Sequence, residues 1–317
     1  MIWKLAIALV FAATALPAHH VRAQAYPAKP VRIITPYPPG GIGDLGTRAV
    51  ATRLEKLLGQ PFVMQVMPGG NQAIAAAAVE RATPDGYTLL LVSPTSLVLN
   101  PLTRKSLPYD PSAFALVSRT YSSPFMVYVS AQLPAATIGE FVALARKSPG
   151  VMNYGSIGEG SSPHLAVALF AQLANIQMTH IPYKDSPNYI AELINGNLHV
   201  LFTLFPLIKE GRVRTLAVAS ARRVEVFPDV PTLAEAGFPV EAGAWFGFVA
   251  PRGTPRRVVD RLASAVAEVV RDPALREQFA RFVVEFESST PEGFAQFVRQ
   301  ETERWGKMTA TLGIKPQ

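Results

Sequence analysis

The feature that most constrains this chain is a repeated alternation of short apolar strands with helix-length segments, joined by loops rich in Gly, Pro and Ser. "VRIITPY" from Val31 reads as a buried strand, and "DLGTRAVATRLEKLLG" (Asp44 to Gly59) as a helix. Asp44 is placed to cap its start and Gly59 its end, with apolar residues recurring at Leu45, Val50, Leu54, Leu57 and Leu58. "PFVMQVM" is a second strand, "NQAIAAAAVERA" (Asn71 to Ala82) a second helix, and "PDGYTLLLVSP" a turn and a third strand. A β-α-β-α-β rhythm of this kind calls for a parallel sheet with helices on its faces.

The middle of the chain repeats the theme. "FMVYVS" (Phe125 to Ser130) is a strand, and "TIGEFVALARKSPG" a helix with a capping box at Thr137 and Glu140. "MNYGS" leads through "IGEGSS" to the helix "PHLAVALFAQLANI", which has Pro163 in its first turn. "MTHIPY", "LHVLF" and "VRTLAVAS" are further strands, with the helix "PNYIAELINGN" between the first two. After Trp245, "FGFVAP" precedes two amphipathic helices, "PRRVVDRLASAVAEVVR" and "PEGFAQFVRQETERWGKMTATLG", which have no strands of their own. The expected fold is therefore α/β: two doubly wound parallel-sheet lobes, one from residues 26–122 with 246–317 and one from 123–245. At 317 residues the chain is long enough for two cores. It would cross between lobes near 121–125 and 240–250, which makes a double-crossover hinge. Open α/β lobes bind ligands at the carboxyl ends of their strands, so the expected site is the cleft between them.

The first 25 residues stand apart. A short basic start, the apolar run Leu5 to Leu16 and small residues at Ala23 and Ala25 make a cleavable secretory signal, too short to span a bilayer. Its removal places the mature start at Tyr26 and the protein in the periplasm. With no cysteine there is no disulfide, thiolate metal site or cysteine nucleophile. The net charge of +7 falls to +5 once Lys4 and Arg22 leave. The basic residues are scattered, without aromatic interleaving, so nucleic acid is not an expected partner. A mildly positive field favours small anions.

Two strand-to-helix loops carry the ligand argument. In "TPYPPGGIGD" the prolines stiffen the backbone, Gly40 and Gly41 bare its N–H groups, and a helix start adds partial positive charge. Tyr37, Pro38, Gly40, Gly41 and Asp44 are the candidates here. From this loop alone, a small-anion cradle and a ligand-free tight turn weigh equally. "YGSIGEGSSPHL" (Tyr154 to Leu165) is its counterpart, with Ser156, Gly158, Ser161 and Ser162 ahead of a helix. His164, on the first turn, is a candidate contact, though a histidine there more often packs. The spacing G-x-x-G-x-G is not a dinucleotide fingerprint, and no phosphate-binding loop or nucleophile elbow occurs. Ser93 and Thr95, in "YTLLLVSPTS", either offer hydroxyls to the cleft or turn the chain. Trp245 and Phe246 read as hinge packing rather than a ligand platform.

Catalysis has little support. Ser156 or Ser161 with His164 is the one nearby nucleophile-base pairing for an exported hydrolase, and no orienting acid follows at predictable spacing. His164, His180 and His199 form no metal-ligand pattern. No cofactor is expected, and the protein is expected to be a monomer.

The segments "YPAKPVRIITPYPPGGIGD", "GQPFVMQVMPGG", "ATPDGYTLL", "NPLTRKSLPYDP", "YGSIGEGSSPHL", "HIPYKDS", "GRVRTLAVASARR" and "FPDVPTLAEAGFP" occur in this order and span the mature chain. This ordered set resembles the substrate-binding receptors of tripartite tricarboxylate transporters, the Bug family. The resemblance implies a type II periplasmic binding-protein fold and a small organic carboxylate as ligand. It places one carboxylate near Tyr37 to Gly41 and Ser156 to Ser162, partly through ordered water. It also implies membrane permease subunits as partners; a receptor signalling to a membrane sensor protein is the alternative. The sequence departs from the family pattern at "PYKDS", where Asp185 replaces a glycine, and at His199, where many members have an acid. The segment between "VLF" and "IKEGR" is shorter than usual, and "VMPGGNQA" stands for "NRPGAGG". Asp185 is a candidate contact for a ligand amine or hydroxyl, against a plainer role as a helix cap.

Overall fold

The computed structural model describes residues 26–184, 186–205 and 211–316. The expected signal sequence and Asp185 lie outside them, as do Pro206 and Leu207 of the shortened segment.

The chain begins with β1 (Val31–Thr35), α1 (Ile42–Leu58), β2 (Phe62–Val66), α2 (Ala73–Glu80) and β3 (Thr88–Val92). A π turn at Thr95–Leu99 runs into the short α3 (Asn100–Thr103), and the long strand β4 (Phe114–Pro124) follows. Then come β5 (Met126–Ser130), α4 (Ile138–Lys147), β6 (Met152–Ser156), α5 (Ser162–Ala174), β7 (Met178–Pro182), α6 (Ser186–Asn195), β8 (Val200–Thr203) and β9 (Val213–Val218). The last part holds β10 (Gly243–Pro251), α7 (Arg256–Val269), α8 (Pro273–Gln278), β11 (Glu285–Phe286) and α9 (Pro291–Thr311).

These strands make two sheets, in the orders β11-β4-β10-β3-β1-β2 and β7-β6-β8-β5-β9. Each is a lobe with helices on its faces, so the α/β two-lobe architecture is the expected one. The sheets are mixed rather than wholly parallel. β1 pairs in parallel with β2 and β3, and β6 with β7 and β8, as βαβ units require. The crossing strands run the other way: β10 is antiparallel to β3 and β4, and β5 to β8 and β9. Two strands were missing from the sequence reading. β4 is one. β11 is the other; it pairs with β4 at Ser122 and Tyr121, so the C-terminal helices do bring a strand.

The two crossings lie side by side. Gly243 pairs with Pro124, the Phe125 N–H donates to the Ala242 carbonyl, and the Ala219 N–H donates to the Phe125 carbonyl. A Cβ at Gly243 would sit 2.4 Å from the Ser123 carbonyl oxygen, so only glycine allows this approach. Trp245 is buried just beyond, and its indole N–H donates to Glu301 on α9. Burial opposes the charge on Glu301. Arg304 and the indoles of Trp245 and Trp305 outweigh that and hold its carboxyl below the usual range. The second crossing is thus tied to the last helix. Trp245 packs as the sequence suggested.

Local chemistry sets the helix ends. Gly59 closes α1 in a left-handed conformation, with its N–H on the Glu55 carbonyl. Thr137 caps α4 through the Glu140 N–H, while the Glu140 carboxylate reaches back to the Ala136 N–H, so the expected box forms with its return bond one residue earlier. One expectation fails: α1 starts at Ile42 with Gly41 as N-cap, which makes Asp44 a first-turn acid and not the cap.

Candidate functional site

The cleft lies where strands of both sheets end. From the first lobe, Tyr37, Pro38 and the Gly41–Gly43 start of α1 line it, with Phe246 behind them. From the second come Ile157, the start of α5 at Ser162 and Pro163, the start of α6 at Ser186 and Pro187, Tyr189, and the end of β8 at Thr203. Phe125, Leu204, Phe205 and Ala244 complete the wall. The void there is about 60 Å³. That is less than half of the roughly 150 Å³ of an engineered apolar cavity that takes up benzene.

The first loop is built by its neighbours. The Tyr37 ring sits edge-on to Phe246, with centroids 5.5 Å apart. Its hydroxyl accepts a 2.8 Å hydrogen bond from Gln72, whose amide oxygen in turn accepts from Ser93 at 2.9 Å. Burial pushes the Tyr37 phenol up to about 12, against the hydrogen bonds from this chain. A Cβ on Gly43 would strike that ring at 2.7 Å, so the close fit needs glycine there. Asp44 is buried and faces its own loop: it accepts from the Gly40 N–H at 3.2 Å and from Arg48 at 2.8 Å. The N–H groups of Gly41, Ile42 and Gly43 have no carbonyl to bond within the helix, so they remain for a ligand or water. Gly41 has open space where a side chain would begin.

The second loop spends most of its polar groups on itself. The Ser156 hydroxyl accepts from the Gly158 N–H at 3.1 Å, and Ser161 donates to the Gly158 carbonyl at 2.6 Å. Gly158 holds φ at +127°, a region closed to ordinary side chains. His180 Nε2 lies 2.7 Å from Ser156 Oγ, and His164 Nδ1 accepts from the Gly160 N–H at 3.1 Å. The two imidazoles are 4.2 Å apart, both beside Tyr154. The pKa of each is lowered to about 4, chiefly by burial, with repulsion from His164 contributing at His180. They are neutral supports of the loop. The pairing of His164 with a serine, the one weighed for a hydrolase and set aside, does not form; Ser156 meets His180 instead, and Ser156 is fully buried.

Of the expected ligand residues, the cleft wall brings together Tyr37, Pro38, Gly41 and Ser162. Gly40, Asp44, Ser156, Gly158 and Ser161 shape the loops from behind. Ser93 belongs to the chain that holds Tyr37. Thr95 is buried, and its hydroxyl has no partner among the described residues. His164 faces a separate groove, with Thr103 to Lys105 and the C-terminal residues Gly313 to Pro316. His199 accepts from the Asn153 N–H through Nδ1 at 2.8 Å, just before β8 starts and so at the opposite end of that strand from the cleft. Phe246, read as packing alone, also shows an edge to the cleft. The residues missed, such as Phe125, Tyr189, Thr203 and Phe205, come from segments far apart in sequence. Position at a strand's carboxyl end was the one signal that could have found Thr203. Among the described residues no cluster of histidines and acids could hold a metal ion, and no helix is long and apolar enough to cross a membrane.

Known proteins resemble this chain in fold and sequence. The structure resembles R. palustris Rpa4515, solved with adipate: 32% identity, a TM-score of 0.89, and 92% of this chain covered against 100% of that one. It also resembles MatC from Rhodopseudomonas palustris, solved with malate: 28% identity, TM-score 0.81, and 89% and 99% covered. In sequence it is 32% identical to the protein BugT of Bordetella pertussis over 318 residues, 98% of each chain. The family model described as "Tripartite tricarboxylate transporter family receptor" matches residues 47–314. With two facing α/β lobes, helix starts turned into the cleft and a match across most of the chain, the chain belongs to this family of receptors, which bind solutes and are not enzymes.

Proposed function

We propose that this protein is a periplasmic receptor that captures a small organic carboxylate between its lobes and passes it to the membrane permease of a tripartite transporter. One observation carries the reading: the starts of α1 and α5, one from each lobe, meet across the cleft. A carboxylate between them takes hydrogen bonds from backbone N–H groups of the first loop and from the Ser162 hydroxyl, and it meets the positive ends of two helices. Such a ligand holds both lobes at once, which is how binding becomes a shape that a permease can read. Rpa4515 and MatC, solved with carboxylates, support the ligand class. The leader-like residues 1–25 support export.

The test is thermal unfolding of residues 26–317 against a panel of small carboxylates, with neutral sugars and amines as controls. At 100 times the dissociation constant, a ligand adds about 2.7 kcal/mol, a shift of several degrees at this size. Stabilisation by carboxylates alone is expected. Stabilisation by a sugar or amine, with none from any carboxylate, would sink the reading.

A further inference from the structure

The cleft is polar along one stretch of its wall and apolar over most of the rest. The anion-holding groups are the Gly41–Gly43 backbone and Ser162. The side chains of Phe125, Ile157, Leu204, Phe205 and Phe246 supply apolar surface, three of them aromatic. Three further hydroxyls are linked in a chain, Tyr189 lying 3.0 Å from the Ser186 hydroxyl and 3.1 Å from that of Thr203. Among the described residues no lysine, arginine or histidine lines the cleft.

This wall suits one carboxylate and opposes a second. A carboxylate moved from water to an apolar surface without a cation or several donors loses far more hydration than it regains. Among the described residues, the start of α6 is the one other helix terminus at the wall. Its second residue is Pro187, which has no N–H. Methylenes or a ring, by contrast, gain on contact with these side chains.

We propose that the ligand is a monocarboxylate with an apolar tail, the carboxylate held at the paired helix starts and the tail against Phe125, Ile157, Leu204 and Phe205. This inference rests on the carboxylate-receptor reading above and narrows its ligand class.

Calorimetric titration of residues 26–317 with chain-matched ligands tests it. The pairs are butyrate with succinate and hexanoate with adipate, with hexanamide as the neutral control. The monocarboxylate of each pair is expected to bind at least tenfold more tightly than its dicarboxylate, with no detectable hexanamide binding. Equal or tighter binding of succinate or adipate overturns the inference and leaves the receptor reading standing. If no acid binds here or in the wider panel, both fall. I157R brings a cation to the apolar wall. It is expected to shift the hexanoate-to-adipate ratio at least tenfold toward adipate, and an unchanged ratio counts against the placement of the tail.

Discussion

The two loops that face each other across the cleft do the same job by opposite means. The first, Thr35 to Asp44, is stiffened by prolines and by side chains reaching in from outside. Gln72 and Phe246 fix Tyr37, and one buried carboxylate, Asp44, gathers the Gly40 N–H. Its own backbone at Gly41 faces open space. The second, Ser156 to Ser162, is rich in hydroxyls yet gives few of them to the cleft. Ser156 and Ser161 close on Gly158, and two neutral imidazoles buttress them. Bare backbone in a rigid frame can thus offer a ligand more than a row of serines can. The serines are largely the frame.

The sharpest way to test this contrast is to fill the first loop. Gly41 has an extended φ of −87° and nothing within 4 Å of its missing Cβ. Gly41→Leu is therefore expected to leave the melting temperature nearly unchanged while lowering carboxylate affinity about 100-fold, about 2.7 kcal/mol. Calorimetry beside a melting curve reads both. The matching change in the second loop behaves differently. Gly158→Ala forces a side chain into a disallowed region, so it is expected to cost about 1–3 kcal/mol of stability in denaturant melts. Any affinity loss should come through the distorted loop.

The serines separate on a finer scale. Ser162 lines the cleft, so Ser162→Ala is expected to weaken binding about tenfold with little change in stability. Ser161 bonds its own loop, so Ser161→Ala should cost about 1 kcal/mol of stability and less affinity. Equal effects of the two substitutions on binding would erase the distinction between lining and frame.

The smallest effect concerns pH. His164 and His180 are held near 4 in the fold, chiefly by burial, against 6.5 ordinarily. As pH falls below 6.5 the unfolded chain takes up protons that the folded chain refuses, so stability declines between about 6.5 and 4 and is fully present above that window. His180→Gln should flatten this part of the pH profile of the melting temperature, and a steeper profile would contradict neutral support.

Much of the fold was legible because strand and helix periods are local. The capping residues Thr137 and Gly59 were legible for the same reason. β4, β11 and the reversed direction of β5 and β10 were not, because strand direction is decided by which distant strand lies alongside. In the site, Tyr37, Pro38, Gly41 and Ser162 stood out through loop chemistry at strand ends. Asp44, Ser156 and Ser161 have the same chemistry but turn it inward, and residue type alone does not reveal where a side chain points. The apolar wall was invisible because Phe125, Tyr189 and Phe205 look like any core residue until folding brings them together.

The central claim is that one carboxylate bridges both loops, and backbone amide exchange of residues 26–317 with and without a binding carboxylate tests it most directly. Slower exchange is expected together at Gly41–Gly43 and at Gly158–Ser162, the two loops responding at the same ligand concentration. Protection confined to one loop, or found only at the groove beside His164, would contradict it.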